Sequence, residues 1–393
     1  MVFLSIFLIV FSPYLAFLPM MVTGFQMLQK NNFTKNIWNI GLIFLFIWAL
    51  FVGIINASVV SIAASFAVLV YFFISVYLEN NYNEEEKIEK LLKNIILISI
   101  GSAFIGIIER FTLVHYNPTW WKYLFGIYPL LPFSETYRIS GTFGNPNVAG
   151  TWYAAMVLIC FYFYQKSFKI KKIFYALMVI LFIGVLLMTG SRGAIIGLLV
   201  GLITYAYFMK DKKKMLFLIF ILLSGIILMF AFPQYFPRGE GLLISIKDRS
   251  LIWKNCLNMF KYKPITGWGL MGIYFANGDV YDYVRTVHGH NIWITIITTL
   301  GIVGFSIFTC MIYYLFKETR VLSNHHCPLI PLLTGLEAVI LGQGLVDFTI
   351  ISPQAGIIFF GCSAIISGLA FQYKNVPVKD YFPMPLLSRI KNK

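Results

Sequence analysis

Charged residues are scarce in this chain. Asp, Glu, Lys and Arg make up 12% of its 393 residues, whereas 59% are hydrophobic and the mean hydropathy is +0.78. No soluble fold of this length could bury so much apolar surface. The apolar residues form continuous runs of about 17–25 residues, the length of transmembrane helices, and not the alternating pattern of a membrane β-barrel. The composition therefore predicts an all-α, polytopic membrane protein.

Cysteine and histidine are equally sparse, with five of each. The cysteines show no CxxC or other metal-ligand spacing, so we interpret them as packing residues within the membrane. The stretch around His288 and His290 contains no HExxH motif and no further histidine cluster nearby, so we expect no metal and no other cofactor. The N-terminus lacks the basic region and the small-residue cleavage site of a secretory signal, and we expect the first helix to be retained.

The net charge of +15 could indicate a nucleic-acid partner, but its distribution favours a membrane topology instead. Basic residues concentrate in short connections such as "KSFKIKK" and "KDKKK", which the positive-inside rule assigns to the cytoplasm. The expected partner is therefore the lipid bilayer and not a nucleic acid. We predict about eleven spans in a single polytopic domain, 1–393. They lie at about 3–25, 37–55, 59–78, 94–110, 147–165, 173–189, 194–209, 215–232, 291–316, 328–347 and 355–373.

One larger extracytoplasmic loop, 233–290, joins the predicted helices 8 and 9. Within it, residues 248–260 have the pattern of an interfacial amphipathic helix. Its polar face carries Asn255 with lysines on either side, and its apolar face carries Cys256 and Leu257. Arg249 lies on the apolar side near the start of this helix, where a charged side chain needs a partner. That partner is either a lipid-linked phosphate or a structural carboxylate such as Asp248.

Arginine is distributed differently from lysine, since six of the eight arginines fall on the predicted outer face. The planar guanidinium suits phosphate and carboxylate, so the arginines indicate an anion-binding site on the predicted outer face. Arg192 lies in the turn "TGSRG" between two apolar helices, where backbone N–H groups and a guanidinium could together bind an anion. The alternative is an interfacial arginine that extends to lipid headgroups.

The stretch "VHGHNIWITIITTLGIVG" places His288, His290 and Asn291 at the N-terminal end of an outward-starting helix. The positive end of the helix dipole disfavours imidazolium, which leaves a neutral nitrogen able to accept a proton. A general base for a hydroxyl requires such a nitrogen. His288 could orient His290 or line the acceptor site. The alternative is a histidine pair that belongs to the interfacial belt.

A fourth stretch, "YRISGTFGNPNVAG", precedes a helix and contains Arg138, Asn145 and Asn147. Its glycines and proline shape a tight loop. These side chains could bind sugar hydroxyls or phosphate, or the stretch could be only a well-built turn.

The order of "GTFGNPNVAG", "TGSRG", "DRSLIWKNCLNMFKYKPITGWG" and "HGHNIW" resembles the O-antigen ligase/O-antigen polymerase (Wzy-type) superfamily. The resemblance is densest over about residues 137–305, and it implies a GT-C-like integral-membrane glycosyltransferase. Such an enzyme moves a glycan from an undecaprenyl-diphosphate carrier to an acceptor hydroxyl outside the bacterial cytoplasmic membrane, without metal or nucleotide sugar. By position, Arg192 and Arg249 match the arginines that hold the donor diphosphate, and His290 matches the histidine that activates the acceptor.

The implied partners are a polyprenyl-diphosphate-linked glycan donor, a glycan or lipid acceptor and other polysaccharide-assembly membrane proteins. The many Lys, Ile, Asn and Phe residues indicate an AT-rich genome, such as that of a bacterium that lacks lipid A. This favours a polymerase over a ligase. A lipid-linked-sugar transporter or flippase would need polar residues deep in several helices, and these are sparse here. A non-catalytic scaffold would leave the arginines and His290 unexplained.

Overall fold

The computed structural model describes residues 2–11, 13–30, 34–112, 138–236, 239, 241–275 and 286–373. Within these ranges the secondary structure is helical and no strand occurs. The α-helices are α1 Val2–Phe11, α2 Pro13–Gln29, α3 Ile37–Ile55, α4 Val59–Asn81, α5 Glu85–Thr112, α6 Pro146–Lys166, α7 Lys169–Met188, α8 Arg192–Phe208, α9 Lys212–Ala231, α10 Leu242–Tyr262, α11 Gly272–Phe275, α12 Ile292–Asn324, α13 Ile330–Gln343 and α14 Pro353–Tyr373. Short 3-10 turns lie at Gly141–Phe143, Pro233–Tyr235 and Thr349–Ile351.

The apolar helices agree with the predicted spans. Eight described helices are long and apolar enough to cross a membrane, and shorter apolar helices lie at Leu15–Gln29, Arg192–Phe208 and Ile330–Gln343. Each corresponds to one predicted span, so the prediction of an all-α polytopic membrane protein is confirmed. The first predicted span is divided between α1 and α2, and Pro13 opens the second of these helices, a position that proline favours.

Helix α6 forms the centre of the bundle, because 83% of the residues in its apolar stretch are buried. In the apolar stretch of α9, by contrast, no residue is buried. α6 packs against α7, α8 and α13. Small residues bring α8 and α13 together. A Cβ atom at Gly197 would lie 2.5 Å from the carbonyl oxygen of Val339. Such close backbone approach is typical of helix contacts in membranes. The contact between Gly197 and Val339 fixes the N-terminus of α8, which carries Arg192, relative to the C-terminus of α13.

Helix α12 is interrupted at Gly301, which has a φ of 63° and a ψ of −170°. The segment "PITGWG" after α10 supplies the missing hydrogen bonds. The N–H of Trp268 donates to the carbonyl of Thr298 at 3.1 Å, and the N–H of Ile302 donates to that of Pro264 at 2.8 Å. A break in a membrane helix is tolerated only where its polar groups find such partners. The break therefore ties the α10 loop to α12.

Helix α10 begins six residues earlier than predicted and packs against α12. The Thr298 hydroxyl donates to the Cys256 carbonyl at 3.1 Å, and Asn255 is only 3% exposed. Leu257, by contrast, is 45% exposed. The sequence placed Asn255 on the polar face, and its burial shows that this assignment is wrong. The exposure of Leu257 is compatible with its assignment to an apolar face turned toward the bilayer. Contact with α12 determines the buried side of α10, and hydrophobicity alone does not reveal that contact.

Candidate functional site

Asn291 joins the N-terminus of α12 to the end of α13. Its Oδ1 accepts the N–H groups of Trp293 and Ile294 at 2.9 and 3.0 Å, which makes it the N-cap of α12. Its Nδ2 donates to the Leu345 carbonyl at 2.9 Å. These contacts show Asn291 in a capping role. A role in substrate binding stays a prediction.

His290 lies just before this cap, in a left-handed backbone conformation with φ 46°. Its Nδ1 lies 3.1 Å from Oδ1 of Asp347, which follows α13. Asp347 is 5% exposed, and its Oδ1 also accepts the N–H of Phe348 at 2.9 Å. A carboxylate accepts a hydrogen bond, so this pairing favours the tautomer with its proton on Nδ1 and a free lone pair on Nε2. His290 is thereby oriented as a proton acceptor.

The charge of Asp347 supports this assignment. Burial acts to raise the pKa of the Asp347 carboxyl, but the hydrogen bond with His290 and the neighbouring imidazoles hold this pKa below its ordinary value. Asp347 is therefore a carboxylate at neutral pH and can stabilise the imidazolium that forms when His290 takes a proton.

His288 packs against His290, with the ring centroids 4.4 Å apart. Its Nδ1 accepts the backbone N–H of His290 at 3.2 Å. Burial, together with repulsion by a protonated His290, lowers the pKa of His288 to about 4. His288 is therefore neutral at physiological pH and helps to fix the unusual backbone at His290. One donor atom from each of His288, His290 and Asp347 lies within 4.8 Å of the others, so these residues could also hold a metal ion.

The stretch with Arg138 forms a hydrogen-bonded turn next to the "TGSRG" segment. Arg138 Nε donates to the Thr189 carbonyl at 2.7 Å, and its Nη2 donates to Asn147 Oδ1 at 2.5 Å. The Asn145 side chain accepts from the N–H groups of Asn147 and Val148 at the start of α6. These contacts favour the well-built turn over a sugar or phosphate site, although Asn145 remains exposed.

Gln343 connects this turn to the end of α13. It is fully buried, and its Nε2 donates to the Asn147 carbonyl at 3.1 Å. Its own carbonyl accepts the N–H of Asp347 at 3.0 Å. The turn and the His290–Asp347 pair therefore belong to one end of the bundle.

Arg192 opens α8 directly after Ser191, whose hydroxyl caps the helix. Gly190 precedes it with a φ of 59°, as expected for a tight turn. A Cβ atom at Gly193 would lie 2.9 Å from Val346, the residue before Asp347. The backbone beside Arg192 thus packs against the side chain of the residue before Asp347, and the Arg192 side chain is half-buried.

Arg249 lies in α10, two turns before Cys256, and its side chain is also half-buried. A Cβ atom at Gly289 would lie 3.2 Å from Cys256 Sγ. The residue beside His290 therefore contacts the helix that carries Arg249. Three segments distant in sequence, with Arg192, Arg249 and His290, converge at one end of the fold.

The sequence analysis missed Asp347 and Gln343 as members of this site. A carboxylate at the end of a membrane span is costly and usually functional, and this signal could have singled out Asp347. Its partner, however, is 57 residues away in the chain, so only the fold identifies the pair.

Comparison with known proteins agrees with this geometry. Residues 176–309 match the model of the O-antigen ligase family, Wzy_C. The matched segment contains Arg192, Arg249 and His290, and it ends before Asp347. No curated protein matches the chain. The resemblance seen in the sequence is therefore confirmed over this segment, and it supports a multi-pass membrane glycosyltransferase of the O-antigen ligase or polymerase type.

Proposed function

We propose that this protein is a metal-independent glycosyltransferase that uses a polyprenyl-diphosphate-linked glycan as its donor. It transfers an oligosaccharide or polysaccharide from an undecaprenyl-diphosphate carrier to an acceptor hydroxyl on the outer face of the bacterial cytoplasmic membrane. The observation that supports this most directly is the His290–Asp347 pair at the start of α12, within 3.1 Å. It supplies an oriented proton acceptor, His290, within the segment that matches the O-antigen ligase family.

The proposed reaction is a single displacement with inversion. Nε2 of His290 takes the proton of the acceptor hydroxyl while the hydroxyl oxygen attacks the anomeric carbon of the donor sugar. The bond between that carbon and the diphosphate oxygen breaks, and its electron pair leaves with the diphosphate. Asp347 stabilises the imidazolium, whose proton is later released to solvent. Because both reactants are anchored in the bilayer, their proximity lowers the barrier further.

Arg192 and Arg249 are proposed to bind the donor diphosphate and to neutralise the charge that develops on it. Both side chains are half-buried on elements that pack beside the His290–Asp347 pair. Forked guanidinium groups bind phosphate oxygens in pairs, which lysine cannot do. Arg192→Lys should therefore reduce transfer although it keeps the charge. Full activity of this variant would mean that only a positive field is needed.

We propose a polymerase of surface polysaccharide repeat units, in which the acceptor is a second lipid-linked glycan. The alternative is a ligase that joins the glycan to a different lipid or to a protein. The glycan made by a deletion strain distinguishes the two. Single repeat units are expected after loss of a polymerase, whereas long unattached polymer would identify a ligase. Complementation with wild type and with His290→Ala shows whether the phenotype depends on the proposed chemistry.

A further inference from the structure

The site contains a possible ligand set for a metal that the sequence did not suggest. His288 and His290 contribute two imidazoles, and Asp347 contributes a carboxylate from another part of the chain. Two imidazoles and one carboxylate are a common protein set for Zn²⁺ and related ions, with the remaining position left open. Mg²⁺ and Ca²⁺ prefer oxygen ligands and fit this set poorly.

We propose that His288, His290 and Asp347 bind a divalent transition-metal ion of the Zn²⁺ type, and that this ion inhibits transfer. Metal binding is a property of the three side chains alone. The inhibition rests on the proposed function, because it requires His290 to act as the base.

The distances suit such an ion. His290 Nδ1 and Asp347 Oδ1 lie 3.1 Å apart. Two ligand atoms that each lie about 2.0–2.2 Å from a tetrahedral Zn²⁺ are separated by roughly 3.3–3.6 Å, so only a small adjustment of the two side chains is needed. One ligand atom of His288 lies within 4.8 Å of one from each of the other two residues, so His288 has to move closer to the ion to complete the site.

The surroundings also favour these ligands. Asp347 is held by the N–H of Phe348, and outer contacts of this kind orient metal ligands.

Metal binding and base catalysis exclude each other for a simple reason. Neutral imidazole carries one proton. An ion on Nδ1 of His290 takes the position of the proton that is hydrogen-bonded to Asp347, so the single proton must move to Nε2. Nε2 then has no lone pair for the acceptor hydroxyl. No net proton is released, and removal of the ion restores the active tautomer.

The test uses the purified full-length protein in detergent, after cleavage of any histidine tag. Every protein is made in a Cys310→Ser background, since Cys310 is exposed. Zn²⁺ affinity is measured by competition with a chromophoric chelator, and Co²⁺ absorption reports the ligand geometry. We expect one Zn²⁺ per chain. His288→Asn and Asp347→Asn should each weaken binding at least about 10-fold. His326→Asn alters an exposed histidine distant in sequence from the three ligands and should leave affinity unchanged.

The outcomes separate the two halves of the proposal. No stoichiometric binding, or binding that His288→Asn and Asp347→Asn leave intact, would overturn the metal site. If the ion binds, Zn²⁺ should inhibit transfer at the concentrations at which it binds, EDTA should reverse this, and Mg²⁺ should have no such effect. Binding without inhibition would overturn the inhibitory role. If His290→Ala proved active, the proposed base would be wrong, whereas the Zn²⁺ titration would still report on the site.

Discussion

Asp347→Asn tests the role of the carboxylate beside His290 without a change of side-chain shape. The amide oxygen can still accept the N–H of Phe348, as Oδ1 of Asp347 does at 2.9 Å. Because Nδ1 of His290 lies 3.1 Å from the same Oδ1, an amide oxygen at that position also keeps the hydrogen bond from His290. The substitution therefore keeps the tautomer with its proton on Nδ1 but removes the negative charge that stabilises the imidazolium.

The magnitude follows from the loss of the charge that strengthens the hydrogen bond between residue 347 and the imidazolium. A hydrogen bond to a charged group contributes about 1.5–3 kcal/mol, which corresponds to about 10–150-fold in rate. The whole contribution of a general base, about 10²–10⁴-fold, gives the upper limit. Turnover of a lipid-linked donor by purified Asp347→Asn should therefore fall by at least about 10-fold, while binding of the donor stays near normal.

The pH range of this comparison follows from the charge of Asp347. Its pKa is held below the ordinary value by His290. The stabilisation from this carboxylate is therefore fully present above the unfolded value of about 3.9 and is lost only as the pH falls through the lowered one. Protonation of Asp347 should contribute nothing to the pH profile between pH 6 and 8.

Asp211→Asn is a matched control, because Asp211 caps α9 and asparagine caps equally well. It should leave turnover unchanged. Near-normal turnover of Asp347→Asn, measured beside this control, would refute the view that the charge of the carboxylate assists proton transfer to His290.

Further predictions concern the arginines, the break in α12 and the topology. Arg249→Lys should lower transfer strongly because the forked contact is lost, and a fully active variant would count against bidentate diphosphate binding. Gly301→Ala should lower the free energy of unfolding by about 1–3 kcal/mol, since the φ of Gly301 is 63° and an added Cβ atom would lie 2.1 Å from the Ile265 carbonyl oxygen. Gly225→Ala is the control and should leave the free energy of unfolding unchanged, because open space surrounds Gly225. In a background without native cysteines, Asn145→Cys should react with a membrane-impermeant thiol reagent in intact cells and Lys212→Cys should not, and the opposite pattern would invert the topology.

The helices could be predicted from the sequence because each carries a continuous apolar run whose length the bilayer sets. Asn145 and Asn291 both cap the helices that follow them, a role typical of asparagine before an apolar helix, although the sequence analysis gave them as candidates for substrate binding. Contacts between segments that are distant in the chain could not be predicted from the sequence. The burial of Asn255 depends on α12, and the partner of His290 lies beyond α13. Hydrophobic periodicity shows which faces of a single helix are apolar, and it does not show which other segment packs against that helix.

In the candidate site, too, the sequence indicated which residues are unusual but not which contacts they make. His290, Arg192 and Arg249 were singled out because their residue types are unusual at the ends of apolar segments. Arg138 and Asn147 were singled out for the same reason, but the structure pairs them with each other at 2.5 Å. A polar side chain in a tight loop can serve the loop itself, and the sequence does not distinguish that role from ligand binding.

The most direct test of the central claim is the turnover of purified, reconstituted His290→Ala with a lipid-linked glycan donor and its acceptor. We predict that the variant inserts and binds donor as wild type does, but turns over about 10²–10⁴-fold more slowly, because the proton acceptor is gone. Near-normal turnover by this variant would contradict the assignment of His290 as the base and, with it, the proposed mechanism.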